Sequence, residues 1–309
     1  VLTGEKIQIL CDVYIGTRDQ ICVNPFIVQN TDKHLYINEV DTVPPHFRTV
    51  QNVFCYTDIL RHRFEKLCYL LSNIQNPFRL FVHNSDDGFK LYHSELLKII
   101  PNIKHIYTQN IEITPTSDIT PLPIGIANRM YRHGDLEAWK QMKTIPKTEH
   151  IYMNFLRETN FSKRQHCMNV MLSKDIPNQP NFTYANYLAH LAKFRFAICP
   201  EGNGLDTHRF WECLYLKTIP ICLKNPITLY FQQHFPIVLL DSWEELDPTQ
   251  LHYPIETSAW PNTYPLDYEE WKLAHNFPND NGSKIHFLTF GGGSDCMTHA
   301  VNRLVGQAR

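Results

Sequence analysis

The sequence of 309 residues predicts an α/β protein built as two Rossmann-like lobes facing a cleft, and three observations carry that reading. Short apolar runs alternate with stretches of helical spacing, the order that a parallel sheet with crossover helices requires. A chain of this length with 43% hydrophobic residues can fill two cores. In the second half an apolar run breaks into Pro-Glu-Gly-Asn-Gly and resumes as a helix, the way a strand hands over to a binding turn in such folds. The lobes are expected to divide near Pro146, as 1–146 and 147–278. Residues 279–309 add a strand at Ile285–Phe290, a Gly-Gly-Gly turn and a helical run from Cys296, either the start of a further domain or the close of this one.

In the first lobe, Lys6–Ile15 and Val50–Tyr56 read as strands, and Leu60, Phe64, Leu67, Leu70 and Leu71 give a helix over Asp58–Ser72. Phe78–His83 is a buried strand that runs into Asn84, Ser85, Asp86 and Asp87. These polar residues can cap the helix expected from Tyr92 to Ile100, or else His83 or Asp86 points into the cleft as a general base. The adjacent Asp86 and Asp87 do not match the Asp-x-Asp of a metal site, because neighbouring side chains diverge in extended backbone. A strand at Lys104–Gln109 precedes an irregular run over 110–128, long enough to be functional. Asn128 and Arg129 at its end either contact a ligand or belong to a link between lobes, and a helix near Asp135–Met142 follows.

The second lobe opens with a strand at His150–Phe155. Arg157, Asn160, Lys163 and Arg164 surround the next turn, either as a receptor for a diphosphate or as a solvated charged loop. A helix over Tyr184–Lys193 leads to the strand Phe196–Cys199 and the turn from Pro200 to Gly204. Asp206 or Thr207 then caps a helix with Phe210, Cys213, Leu214 and Leu216 near one face and His208, Arg209 and Glu212 on another. A turn between a strand end and a helix start suits an anion, since free N–H groups and the positive dipole end meet there. Arg209 adds a planar donor fork for phosphate oxygens, and Glu212 a carboxylate able to accept two ribose hydroxyls. Glu201, Asp206, His208, Arg209 and Glu212 crowd between Phe196–Cys199 and the buried strand Thr218–Leu223, and so many ionisable groups beside a core point to a site for a nucleotide diphosphate. A late strand at Ile237–Leu240 and a helix around Trp271, able to cross back onto the first lobe, complete the chain as read.

Pro200, Gly202, Asn203, Gly204, Asp206, Arg209, Trp211, Glu212, Leu214, Ile219, Pro220 and Ile221 together resemble the donor-site signature of exostosin-like glycosyltransferases, especially the compact versions of large DNA viruses. Cys199 stands where that pattern has Ser and Lys217 where it has Gly; neither removes a phosphate or ribose ligand. The run from Phe235, FPIVLLDSWEEL, is similar to the family's next motif, so the specific match covers the central part of the second lobe and is weaker elsewhere. The resemblance implies a GT-B-like arrangement and an inverting, metal-independent transfer of a sugar from a UDP- or GDP-linked donor, such as xylose, galactose or fucose, to an oligosaccharide or glycoprotein glycan. It favours Asp86 or His83 as the catalytic base and Asn84 and Asn128 as acceptor contacts. It gives the donor Asn160, Arg164, Gly202, Asn203, Gly204, Asp206, Arg209 and Glu212, and the polar clustering around the two turns adds Arg157, Glu201 and His208 to the expected donor contacts. It implies no cofactor beyond the nucleotide-sugar co-substrate.

Composition narrows the alternatives. A formal charge of −2 without Lys/Arg runs gives no electrostatic footprint for nucleic acid or an anionic membrane. Nine cysteines with no C-x-x-C pair read as reduced thiols, which with no apolar run of spanning length and no signal sequence points to the cytoplasm, that of the host if the chain is viral. A dehydrogenase or epimerase would carry Gly-x-Gly-x-x-Gly near the first strand, and a scaffold would show repeats; neither is present. A non-catalytic nucleotide-sugar or glycan-binding module remains the alternative to an enzyme.

Overall fold

A computed structural model of the chain describes residues 1–254 and 264–277, so the strand, Gly turn and helix expected over 285–307 lie outside the described residues. The protein is α/β with two parallel sheets, one of six strands in the order β2-β1-β3-β4-β5-β6 and one of four in the order β10-β9-β8-β7. The first comprises β1 (Val13–Gly16), β2 (His34–Tyr36), β3 (Asn52–Tyr56), β4 (Phe78–His83), β5 (Ile103–Thr108) and β6 (Ile119–Pro121). The second comprises β7 (Glu149–Tyr152), β8 (Phe194–Ile198), β9 (Ile219–Leu223) and β10 (Val238–Leu240). Around the first sheet run α1 (Gly4–Leu10), α2 (Arg18–Cys22), α3 (Thr57–His62), α4 (Phe64–Ser72) and α5 (Leu91–Leu97), and α6 (Leu136–Lys140) follows it. Around the second run α7 (Phe161–Ser173), α8 (Tyr184–Leu191), α9 (His208–Tyr215) and α10 (Pro226–Phe231), and α11 (Tyr268–Ala274) closes the described chain.

The central strands form where apolar runs can be covered on both faces. β3 is buried along its whole length and pairs with β4 in the register Phe54↔Phe81, as fully enclosed parallel strands do. The opening run Lys6–Ile15 departs from the expected strand. Its first half is helix α1, because the Thr3 hydroxyl caps the Lys6 N–H at 3.2 Å and Ile7 sinks into the core, and only Val13–Gly16 is extended. The helix expected over Asp58–Ser72 is two helices, broken at Arg63, whose φ of −144° is not helical. The run over 110–128 contains β6, which completes the sheet beside β5. Asn84 to Asp87 do not cap α5: it begins at Leu91 with Lys90 before it.

In the six-stranded sheet, strand order reverses between β1 and β3, the position where a crevice opens in such sheets. Here α1 fills it, Gln8 donating to the Tyr56 hydroxyl at 2.9 Å. Binding space lies instead at the carboxyl ends of β4 to β6, opposite those of β7 and β8. The last helix lies against the first sheet: the Arg79 guanidinium donates to the His275 carbonyl, and the Phe277 ring lies 5.5 Å from Phe81. Among the described residues seven cysteines are free thiols, most of them buried. No helix among the described residues is long and apolar enough to cross a membrane.

Candidate functional site

Between the strand ends lies a cleft of about 740 Å³ whose two walls differ in chemistry. The wall from the first half carries His83, Asn84, Ser85, Asp86, Gln109 and Asn128 and no cation, whereas the opposite wall carries Arg164, Arg209 and Glu212. Arg164, in the first turn of α7, reaches back to the Gly-rich turn. Its Nε donates to the Glu201 carbonyl at 2.8 Å and its Nη1 to the Leu156 carbonyl at 3.0 Å. Arg209, in the first turn of α9, donates to the Asn154 carbonyl and lies 5.1 Å from the ring centre of Tyr187. Burial, and then the like charge of Arg209, push Arg164 below its usual range, and an anion between the two guanidinium groups would relieve that repulsion.

Glu212 is buried one turn further along α9. It accepts from Tyr184 Oη at 2.9 Å and from Tyr187 Oη at 2.6 Å, and Tyr184 is fixed in turn by Trp139 Nε1 at 3.0 Å. Each carboxylate oxygen keeps a second lone pair, so a diol can be bound with the tyrosines in place. The turn needs its glycine at 204. A Cβ on Gly204 would lie 2.5 Å from Asn110 Nδ2, and the Gly202 carbonyl accepts from Asn160 Nδ2 at 2.7 Å.

Several expected site residues do other work. Arg157 is exposed, pairs with Glu158 at 3.0 Å and does not line the cleft. The Glu201 side chain turns away, held by Lys163 and by Asn225 Nδ2 at 3.3 Å, and lines a separate cavity of about 390 Å³ behind the turn. Asp206 is a tether across the cleft. Its carboxylate accepts from Ile124 N at 2.7 Å, Thr207 N at 2.9 Å and Trp211 Nε1 at 2.8 Å, and its own N–H donates to Asn110 Oδ1 at 2.9 Å. Burial raises its pKa to about 7 while those N–H donors hold it down.

The first-half wall also redistributes its roles. His83 is 1% exposed and both ring nitrogens are engaged: Nε2 donates to the Pro123 carbonyl at 2.9 Å and Nδ1 accepts from Asn84 N at 2.8 Å. Burial drives its pKa down to about 4, and no lone pair is left for a substrate. Asn84, at a φ of 63°, accepts from Asn128 Nδ2 at 3.1 Å and donates to Gln8 Oε1 at 3.0 Å, so the pair of expected acceptor contacts is largely spent on holding α1. Arg129 likewise faces Glu5 at 2.5 Å. Asp86 is exposed at the cleft and accepts from Asn203 Nδ2 at 3.2 Å across it, while Asp87 turns to Arg61 at 3.3 Å, the divergence expected of neighbours. Among the described residues no group of three His, Cys, Asp or Glu is arranged to hold a metal ion.

The sequence reading did not select Tyr184, Tyr187, Asn110 or Asn154. The tyrosines sit three apart on α8, which marks a shared helix face but not the carboxylate they meet, 28 and 25 positions away. No protein-family model matches the chain, and no curated protein matches it.

Proposed function

We propose that the protein is a glycosyltransferase of the two-lobed, GT-B-like kind, moving a sugar from a UDP- or GDP-linked donor to a hydroxyl of an oligosaccharide or glycoprotein glycan. One observation carries the reading: two guanidinium groups and a buried carboxylate share one wall of the cleft, facing a wall with no cation. A diphosphate fits between Arg164 and Arg209 at the amino end of α9, and a ribose diol at Glu212. The opposite wall, polar, without a cation and carrying the Asp86 carboxylate, suits a hydroxyl-bearing acceptor, with the Gly202–Gly204 turn close enough to wrap the link between sugar and phosphate. Charge that builds on the leaving diphosphate meets donors already in position, so neither a metal nor a further cofactor is required. An acceptor entering from the first-half wall attacks opposite the diphosphate, which gives inversion.

The test is release of nucleotide from a panel of UDP- and GDP-sugars, with and without oligosaccharide acceptors. Arg209→Ala is expected to lower kcat/KM by about 100-fold or more, the scale on which one donor to a developing oxyanion acts. A folded wild-type protein that neither binds UDP or GDP in calorimetry nor releases them refutes the reading. Binding without release would favour the non-catalytic module.

A further inference from the structure

Resting on the transferase reading, we propose that His208 is the catalytic residue that takes the proton from the acceptor hydroxyl, through its Nε2. His208 opens α9 and lines the cleft. Its Nδ1 lies 2.8 Å from the Gly125 carbonyl, and a carbonyl only accepts, so Nδ1 carries the hydrogen and Nε2 the lone pair. That carbonyl is itself fixed. Gly125 has a φ of 66°, bridges to Thr3, and could not carry a Cβ, which would fall 2.5 Å from the Leu2 carbonyl. Nε2 meets no hydrogen-bonding group among the described residues and is not an enclosed orphan, which leaves it open to the cleft.

Direction supports the same role. Successive positions of a helix point about 100° apart. His208 therefore faces Gly125 and His133, while Arg209 faces Asn154 and Tyr187. A sugar bound between them has its proton acceptor on one side and the groups that meet its diphosphate on the other. Burial pushes His208 down to about 4, so the ring is neutral near pH 7. The groups around it are His133, with ring centres 5.6 Å apart, and His83, both neutral by burial, and Asp86, whose carboxylate favours the imidazolium once formed. In the step itself the acceptor oxygen bonds to the anomeric carbon as its proton passes to Nε2. The bond from that carbon to the diphosphate oxygen breaks, its electron pair staying on the oxygen, and the imidazolium later returns the proton to solvent.

Two measurements test this. Nitrogen-15 NMR of the wild-type imidazoles at pH 7 is expected to show His208 protonated at Nδ1 and bare at Nε2; the other tautomer, or a charged ring, overturns the assignment whatever the activity. His208→Gln can still donate to Gly125. It is expected to leave UDP or GDP affinity within about threefold, to lower kcat by about 100- to 10,000-fold, and to recover part of the rate with added imidazole. A kcat within threefold of wild type, or a matching loss of nucleotide affinity, overturns it. Wild-type protein that binds UDP or GDP but transfers no sugar overturns the transferase reading first, and the role of His208 with it.

Discussion

Asp206→Ala tests the tether on which the cleft depends. The carboxylate is 5% exposed and accepts from three N–H groups, one of them, Ile124 N, on the far side of the cleft. Alanine leaves all three without a protein acceptor. An orphaned buried donor costs about 1–3 kcal/mol, so three give a ceiling of about 9 kcal/mol. Relaxation, entry of water and relief of the buried carboxyl group's desolvation, small while it is mostly protonated at pH 6, bring the expectation to about 3–5 kcal/mol, the range for breaking a buried polar network. Urea unfolding at pH 6, followed by tryptophan fluorescence and far-ultraviolet circular dichroism, measures the loss. Because Ile124 is held to Asp206 just ahead of α9 and Gly125 to His208 at its start, nucleotide affinity should fall in the same variant at urea concentrations well below unfolding. A loss under about 1 kcal/mol with an unchanged m value would show that these groups find other partners, and the tether would have no energetic content.

Asp206 also sets a pH dependence. Its folded pKa of about 7 lies above the value near 4 of an unfolded chain, so its contribution is complete below pH 4 and is lost as pH rises through 7. Relative to Asp206→Asn, wild-type stability should fall by up to about 4 kcal/mol between pH 4 and pH 8; a flat or rising difference contradicts the assignment. Gly204→Ala drives a methyl group into Asn110, which is pinned by Ser85 and Asp206, and should cost about 1–3 kcal/mol in the same unfolding assay. A neutral result would mean that Asn110 swings aside.

Legibility followed the range of the interactions. Phe78–His83 was readable to the residue because a hexamer with four large apolar residues and no turn former inside it has few alternatives to a buried strand. KIQILCDVYI was not: its alternation suits a strand, and the deciding contacts are the Thr3 cap and the fit of α1 at the β1/β3 crevice. The three-residue strands β2 and β6 carry too little pattern to register alone and exist by pairing with β1 and β5.

By itself the sequence determined that the chain alternates strands and helices and that a polar, Gly-rich turn followed by Arg209 and Glu212 opens beside a buried strand, because propensity, periodicity and turn chemistry act over a few residues. Only the tertiary structure decided which of those polar groups face the cleft. Asp206, Glu201, Arg157 and His83 are matched to partners between 1 and 82 positions away, and His208 is aimed by a carbonyl 83 positions distant. A side chain's role at such a site depends on which of its donors and acceptors remain unspent, and that is settled by neighbours brought together in space.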